Sequence, residues 1–273
     1  MKLIINDLRK ADQLITIFKH LKSFSPHLSL YFDSDKLYAQ GMDDSHVALF
    51  ELNIHNSWFD EYEFESGDAK NIAITSQCLF KALNMREDNQ SIHISYEGDP
   101  DKIKISFESD KKEEFNKYFE LTLIDLDAEL MDLSNHDSQV DMEWPAKQYS
   151  TFIEQLFKFH TNVTIECSET NILYEARGDE GLMRVNTDID DLIEYAIEED
   201  KVMKQCFSLQ HLSMITQFHK LSNNVFIGLC DDSPMLLKYS LDSQPSNEKD
   251  EEDEEDEGNY IKFYLAPKME DDE

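Results

Sequence analysis

Residues 37–50 read LYAQGMDDSHVALF, and Asp43, Asp44 and His46 are the residue types that ligate a metal or move a proton. Ligands three residues apart can share one turn, and Ser45 adds a hydroxyl. A metal or acid–base site needs further ligands or a partner from elsewhere, and no second His/Asp cluster stands out in the chain to complete one. The expectation is therefore a protein that is not an enzyme and has no metal and no cofactor. His46 then serves as an exposed contact or a cap-like hydrogen bonder. The chain carries the same frame again as LYEARGDEGLMRV. Leu173 and Tyr174 fall 136 residues after Leu37 and Tyr38, with Asp179 and Glu180 following like Asp43 and Asp44. Nothing there matches Ser45-His46.

The frame sits in a duplicated arrangement. Apolar residues at three- and four-residue steps predict helices over 7–22 (Leu14, Ile17, Phe18, Leu21), 75–86 (Cys78, Leu79, Ala82, Leu83), 145–160 (Phe152, Ile153, Leu156, Phe157) and 206–220 (Leu209, Leu212, Ile215, Phe218). Pro145 suits a first helical position. Short apolar-alternating runs fill most of the remainder. Each half thus reads as helix, strands, helix, strands, with about eight or nine strands. The expected fold class is α+β: two similar domains, 1–124 and 141–273, joined by a connector over 125–140. The connector is acidic and polar except for Leu130, Met131 and Leu133.

Composition narrows the class further. The chain has 273 residues, 40% of them hydrophobic, which is enough for one large core or two of ordinary size. No apolar run approaches the roughly 20 residues that span a bilayer, and the start MKLIINDLRKADQ is too briefly apolar for a signal peptide. Cys78, Cys167, Cys206 and Cys230 are widely spaced, as buried thiols of a reducing compartment would be. Seven glycines and no Gly-rich phosphate loop argue against a nucleotide cradle.

A net charge of −33 argues at first against nucleic acid. The distribution reverses the argument. The four predicted helices hold nine bases (Arg9, Lys10, Lys19, Lys22, Lys81, Arg86, Lys147, Lys158, Lys220) and only three acids (Asp7, Asp12, Glu154). They are basic in a chain that is otherwise strongly acidic, as one continuous positive surface on an acid-coated body would be. The largest acidic run, NEKDEEDEEDEG at 247–258, holds nine acids in the ten residues 248–257. Its flanks place the connection 242–259 at the edge of the subunit away from Pro234 and Ala266, as a projecting loop. A basic partner such as a histone would be the competing use of such a run.

Three stretches, MDDSHVALFEL, LIDLDAEL at 123–130 and YLAPKMEDDE at the C-terminus, closely resemble the proliferating cell nuclear antigen family of sliding clamps. The resemblance runs along nearly the whole chain. It implies two similar domains per subunit and three subunits closed into a homotrimeric ring, with helices lining the hole and sheets forming the outer wall. Sequence-independent contact with double-stranded DNA would fall to Lys10, Lys19, Lys22, Lys81, Arg86, Lys147, Lys158 and Lys220. A pocket for short peptides of DNA polymerase, clamp loader, nuclease and ligase would use Met42, His46, Leu49, Met131, Leu133, Pro234, Met235, Tyr264, Leu265 and Ala266. Only the first domain of such a clamp carries this pocket wall, so the second copy has no need of Ser-His.

Subunits would pair strand 115–123 with 181–187. Phe119 and Leu121, or Phe115 and Tyr118, would face Met183 and Val185 of the neighbour. The implied location is the nucleus, or a viral replication site, with no membrane partner. Ile15, Leu79, Glu154, Gln210 and Gln217 stand where the family's channel helices usually carry a base. Glu169 stands where the eukaryotic clamp has a ubiquitin-accepting lysine. A non-ring processivity factor, monomeric or dimeric, and a checkpoint-clamp subunit are the alternatives within the same fold.

Overall fold

The computed structural model describes residues 1–64, 70–97, 101–111, 113–126, 130–131, 133, 138–179, 181–231, 233–242 and 258–268. They form two compact units whose chain segments interleave. The first takes Met1–Asp44, Glu51–Met131 and Leu241–Tyr260; the second takes Ser45–Phe50, Asp132–Ser240 and Ile261–Glu273.

The order of elements is the same in both halves. The first runs β1 (Lys2–Ile5), α1 (Leu8–Phe24), β2 (His27–Phe32), β3 (Lys36–Met42), β4 (Ala48–His55), β5 (Glu61–Glu63), β6 (Lys70–Thr75), α2 (Ser76–Leu83), β7 (Ser91–Ser95), β8 (Lys102–Glu108) and β9 (Lys117–Thr122). The second runs β10 (Val140–Pro145), α3 (Ala146–Phe159), β11 (Asn162–Cys167), β12 (Asn171–Gly178), β13 (Gly181–Asp188), β14 (Glu194–Ile197), β15 (Met203–Ser208), α4 (Leu209–Ile215), β16 (Asn224–Leu229), β17 (Met235–Ser240) and β18 (Tyr260–Leu265). Hydrogen bonding repeats as well. The order β5-β1-β7-β8-β9 has its counterpart in β14-β10-β16-β17-β18, and β6-β2-β3-β4 in β15-β11-β12-β13. The α+β duplication expected from the pattern is the fold.

Local chemistry sets the element ends. Asp7 caps α1, its carboxylate accepting from the N–H groups of Arg9 and Lys10, and the helix stops at Ser25 because Pro26 follows. Its buried face is Ala11, Leu14, Ile17, Phe18, Leu21 and Phe24. Pro145 closes β10 rather than opening α3, and the last predicted helix is shorter than its apolar spacing suggests. α4 ends at Ile215, and a 3-10 turn, Thr216–Lys220, carries Phe218 into the core. Strands exposed on one face alternate cleanly, as in β8, where Ile103, Ile105 and Phe107 point inward. β4 and β18 are buried along nearly their whole length. Among the cysteines only Cys167 is buried, and burial pushes its thiol up to about 12; the other three are half-buried. Cys230 directly follows β16, whereas Cys78 and Cys206 lie within α2 and β15 off their buried positions.

The repeat itself is offset differently from the Leu-Tyr echo. Two hairpins share one turn geometry, with Asp33 N–H donating to the Lys36 carbonyl and Ser168 N–H donating to that of Asn171. Their registers pair Phe32 with Leu37 and Cys167 with Ile172. Leu37 therefore corresponds to Ile172, Ala39 to Tyr174, and Tyr38 to Leu173. The true offset is one residue shorter than the echo. The helix core agrees, because Ala11, Leu14, Phe18 and Leu21 match Ala146, Tyr149, Ile153 and Leu156. A one-residue slip exchanges the faces of a strand. Tyr174 is accordingly fully buried, whereas Tyr38 is half-buried with its hydroxyl donating to Glu51 at 3.1 Å.

Past the next turn the offset drops by two, since the 3-10 turns Asn56–Trp58 and Ile189–Asp191 correspond. The second copy closes its hairpin at the Gly178–Gly181 pair, where the first spends residues 43–47. Gly178 is required there, because a Cβ would lie 2.6 Å from the His160 ring. The absence of a Ser-His in the second copy is thus a two-residue difference in loop length. Tyr174→Ala should cost about 3–5 kcal/mol and Tyr38→Ala about 1 kcal/mol in chemical unfolding. Equal losses would contradict the corrected register.

Candidate functional site

The basic residues of the helices divide into free and engaged. In the first unit α1 and α2 pack together, and Lys19 and Lys81 project into solvent. Lys22 is half-buried with its ammonium 4.1 Å from the Phe80 ring centre, close enough for cation–π attraction. Lys10 is half-buried too; its Nζ donates to the Trp58 carbonyl at 2.5 Å. In the second unit Lys147 and Lys158 on α3 and Lys220 on the 3-10 turn after α4 are exposed. Among the described residues, Lys19, Lys81, Lys147, Lys158 and Lys220 make no ion pair.

Arg86 is the exception to the expected set. It lies after α2 with its side chain only 2% exposed, pairing with Asp12 at 2.8 Å. It also donates to the carbonyls of Gln90 and Asp88. These bonds engage three of the five guanidinium N–H groups, one on each nitrogen, so Arg86 braces the end of α2 against α1. Leu79 is likewise buried, so its apolar character belongs to the core. Glu154 accepts from Gln217 at 3.4 Å, a contact that leaves an acid on the exposed side of α3.

The expected peptide-contact residues separate by burial. In the first unit Met42 is half-buried at the end of β3 and Met131 is 37% exposed. Gln40 holds Met131 by both backbone groups: its Oε1 accepts from the Met131 N–H at 2.9 Å and its Nε2 donates to the carbonyl at 3.1 Å. A glutamine side chain can act in this way because it carries one amide donor and one acceptor, like a second strand. Sequence reasoning missed Gln40, and nothing in its spacing marks it. Leu133 is half-buried. In the second unit His46 is exposed at φ 57°, the left-handed region, and Pro234 and Ala266 are half-buried. The Ala266 N–H donates to the Val47 carbonyl at 2.9 Å, tying the chain after β18 to the His46 loop.

Leu49, Met235, Tyr264 and Leu265 are not surface groups. Met235 and Leu265 are fully buried, and Leu49 and Tyr264 nearly so. For Leu49, Tyr264 and Leu265 the reason is that β4 and β18 are buried along both faces, so alternation exposes neither set; Met235 opens β17 and belongs to the buried set of that alternating strand. These four act on the surface only through the backbone they position. Among the described residues no group of three His, Cys, Asp or Glu could hold a metal.

β9 and β13 each terminate a sheet among the described residues, so each offers an unpaired edge. On β9 the two expected sets differ. Phe119 stacks in a tilted contact with Phe107 and Leu121 is buried, whereas Tyr118 is 71% and Phe115, just before the strand, 81% exposed. The alternation turns Tyr118 outward, and Phe115 is exposed on its own account, ahead of the strand. On β13, Met183 and Val185 are half-buried opposite Ala176 and Tyr174, and Leu182 is exposed beside them. Phe159, exposed at the end of α3, has a ring atom 3.7 Å from where a Gly181 Cβ would stand. Leu182 and Phe159 were not in the expected set; their helical and strand spacing resembles that of core residues.

Comparison with known proteins agrees with this geometry. The model of the proliferating cell nuclear antigen N-terminal domain matches residues 4–130, and that of the C-terminal domain matches residues 131–248. Proliferating cell nuclear antigen 2 of Drosophila melanogaster is 28% identical over 93% of this chain and 92% of its own length. Proliferating cell nuclear antigen of Chaetomium thermophilum is 26% identical over 97% and 98%, and that of Caenorhabditis elegans 27% over 86% and 85%. Its duplicated α+β fold, its base-bearing helices and both domain matches place the chain in the proliferating cell nuclear antigen family, the DNA sliding clamps that make polymerases processive.

Proposed function

We propose that three copies of this chain close into a ring around duplex DNA, with Lys19, Lys22, Lys81, Lys147, Lys158 and Lys220 as the phosphate-tracking groups. The observation that carries this reading is that five of these lysines are exposed on or beside the helices and make no ion pair among the described residues, in a chain whose net charge is −33. Cations left unpaired amid so much acid are available to an external polyanion. The contacts carry no sequence information, because a phosphate is the same at every step of the duplex. Lys10 contributes only through its position beside Trp58.

Client proteins (polymerase, clamp loader, nuclease, ligase) would dock short peptides on Met42, His46, Met131, Leu133, Pro234 and Ala266, with the buried Leu49, Met235, Tyr264 and Leu265 setting the backbone beneath. Subunits would join by pairing the β9 edge with the β13 edge of the next copy, Phe115 and Tyr118 meeting Phe159, Leu182, Met183 and Val185. Domain limits of 1–124 and 141–273 with a connector over 125–140, and residence in a nucleus, follow the same reading. The acidic connection belongs to it as an outward loop, although residues 243–257 lie outside those described.

Phosphate contacts are read by their salt dependence. Replacing Lys81, Lys158 and Lys220 by Ala should lower the slope of log affinity for duplex DNA against log salt by about 0.9 for each phosphate that a copy no longer neutralises. The assembled mass should stay the same. Arg86→Ala, in contrast, should lower stability by about 1–3 kcal/mol and leave the salt slope as it was. An unchanged slope in the triple variant would overturn the assignment of these lysines. For the peptide site, Met131→Ala with Leu133→Ala should weaken a clamp-binding peptide at least about tenfold in calorimetry, as removal of anchor side chains does. Native affinity in that variant would place client docking elsewhere.

A further inference from the structure

The loop that distinguishes the first copy from the second is held by a side chain of α4. Ser45 Oγ lies 3.2 Å from His211 Nε2, and His211 Nδ1 lies 2.9 Å from Ser208 Oγ. A neutral imidazole has one donor and one acceptor nitrogen, and hydroxyls do either, so both tautomers complete this Ser–His–Ser chain. The Ser208 bond orients the ring, and the ring in turn fixes Ser45. On the other side of His46, the Val47 carbonyl accepts from the Ala266 N–H. The chain beyond Ala266 is itself anchored, with the Lys268 N–H donating to the Cys206 carbonyl on β15, the strand that leads into α4.

His46 therefore sits between two tethers that end on one connected segment. It needs them. At φ 57° an imidazole-bearing residue is in a conformation that L side chains avoid, and such a residue persists only where its neighbours fix the backbone. The Val47 tether is main chain and independent of side-chain identity. The Ser45 tether depends on His211.

We infer that His211 is a positioning residue for client docking: from the first turn of α4 it holds Ser45, and through Ser45 the left-handed His46, in the orientation that meets a peptide. The inference rests on the proposed docking role of the His46 loop. It assigns to a channel-helix residue a part in peptide recognition without contact to the peptide.

The test uses the full chain and a synthetic peptide carrying an aliphatic residue followed by paired aromatic residues. Loss of one positioning hydrogen bond predicts that His211→Ala weakens the peptide about fivefold. Ser45→Ala should give a similar loss, and the double variant no more than either alone. His211→Gln, whose amide can still reach Ser45, should recover affinity to within about twofold. Backbone hydrogen exchange at His46 and Val47 should speed up in His211→Ala and return toward native in His211→Gln. The Met131→Ala, Leu133→Ala variant serves as control. If it weakens the peptide while His211→Ala binds and exchanges as native, the positioning role is wrong. If both bind as native, the docking reading itself has failed, and the inference with it.

Discussion

A duplex repels like charge, so a chain carrying −33 can hold DNA only where its acids have been cleared away. Nearly everything else in this protein accommodates that condition. The helices are the cleared elements: short, amphipathic, with a core face of Ala, Leu, Ile and aromatic residues and an outer face that carries lysine. The connections take most of the acid, because they have no core face to keep apolar, while acids and bases balance along the strands. Duplication then doubles the cleared surface at no cost in new architecture. The few acids that remain among the helices are partly neutralised locally. Asp7 is spent capping α1, and Asp12 is spent on Arg86.

The same clearing limits what one copy can do. Five exposed lysines without ion pairs among the described residues are a modest attraction beside the acid elsewhere in the chain, and exposed charges are screened beyond about 10 Å at ordinary salt. Multiplying that face by closure is the physical argument for assembly. Of the six sheet edges among the described residues, β9 and β13 are the two proposed to join. An open edge flanked by Phe115 and Tyr118 on one strand, and by Leu182 and Phe159 on the other, is a hazard to a monomer. Such an edge is retained when a partner covers it. The loop at 43–47 answers a different demand: two residues more than its counterpart place an exposed imidazole outside the hairpin, and tethers to α4 and the chain after β18 keep it there.

Much of this was legible in the residues. Apolar spacing located all four helices to within a few positions, and the charge imbalance marked them out from the rest of the chain. The periodicity could not reveal which face of a strand the Leu-Tyr echo occupies, because period-two patterns one residue apart look alike until a hairpin fixes the register. Arg86 reads as one more helix base in sequence; only three-dimensional proximity to Asp12 and to the carbonyls of Asp88 and Gln90 shows it to be a brace. Leu49, Met235 and Leu265 looked like exposed contacts because they stand near element ends, yet β4 and β18 are buried on both faces and Met235 falls on the inward face of β17. Gln40 and His211 escaped notice for a shared reason. Each acts through hydrogen bonds to residues more than ninety positions away, and no local pattern records such a bond.

The central claim is that the cleared helices work as an assembled lining, not as a patch on a single chain. The solution mass at physiological salt, by light scattering coupled to size exclusion, tests it most directly. The account predicts a single species of three times 32.0 kDa. A species of one or two chain masses at concentrations where duplex DNA is bound would contradict it.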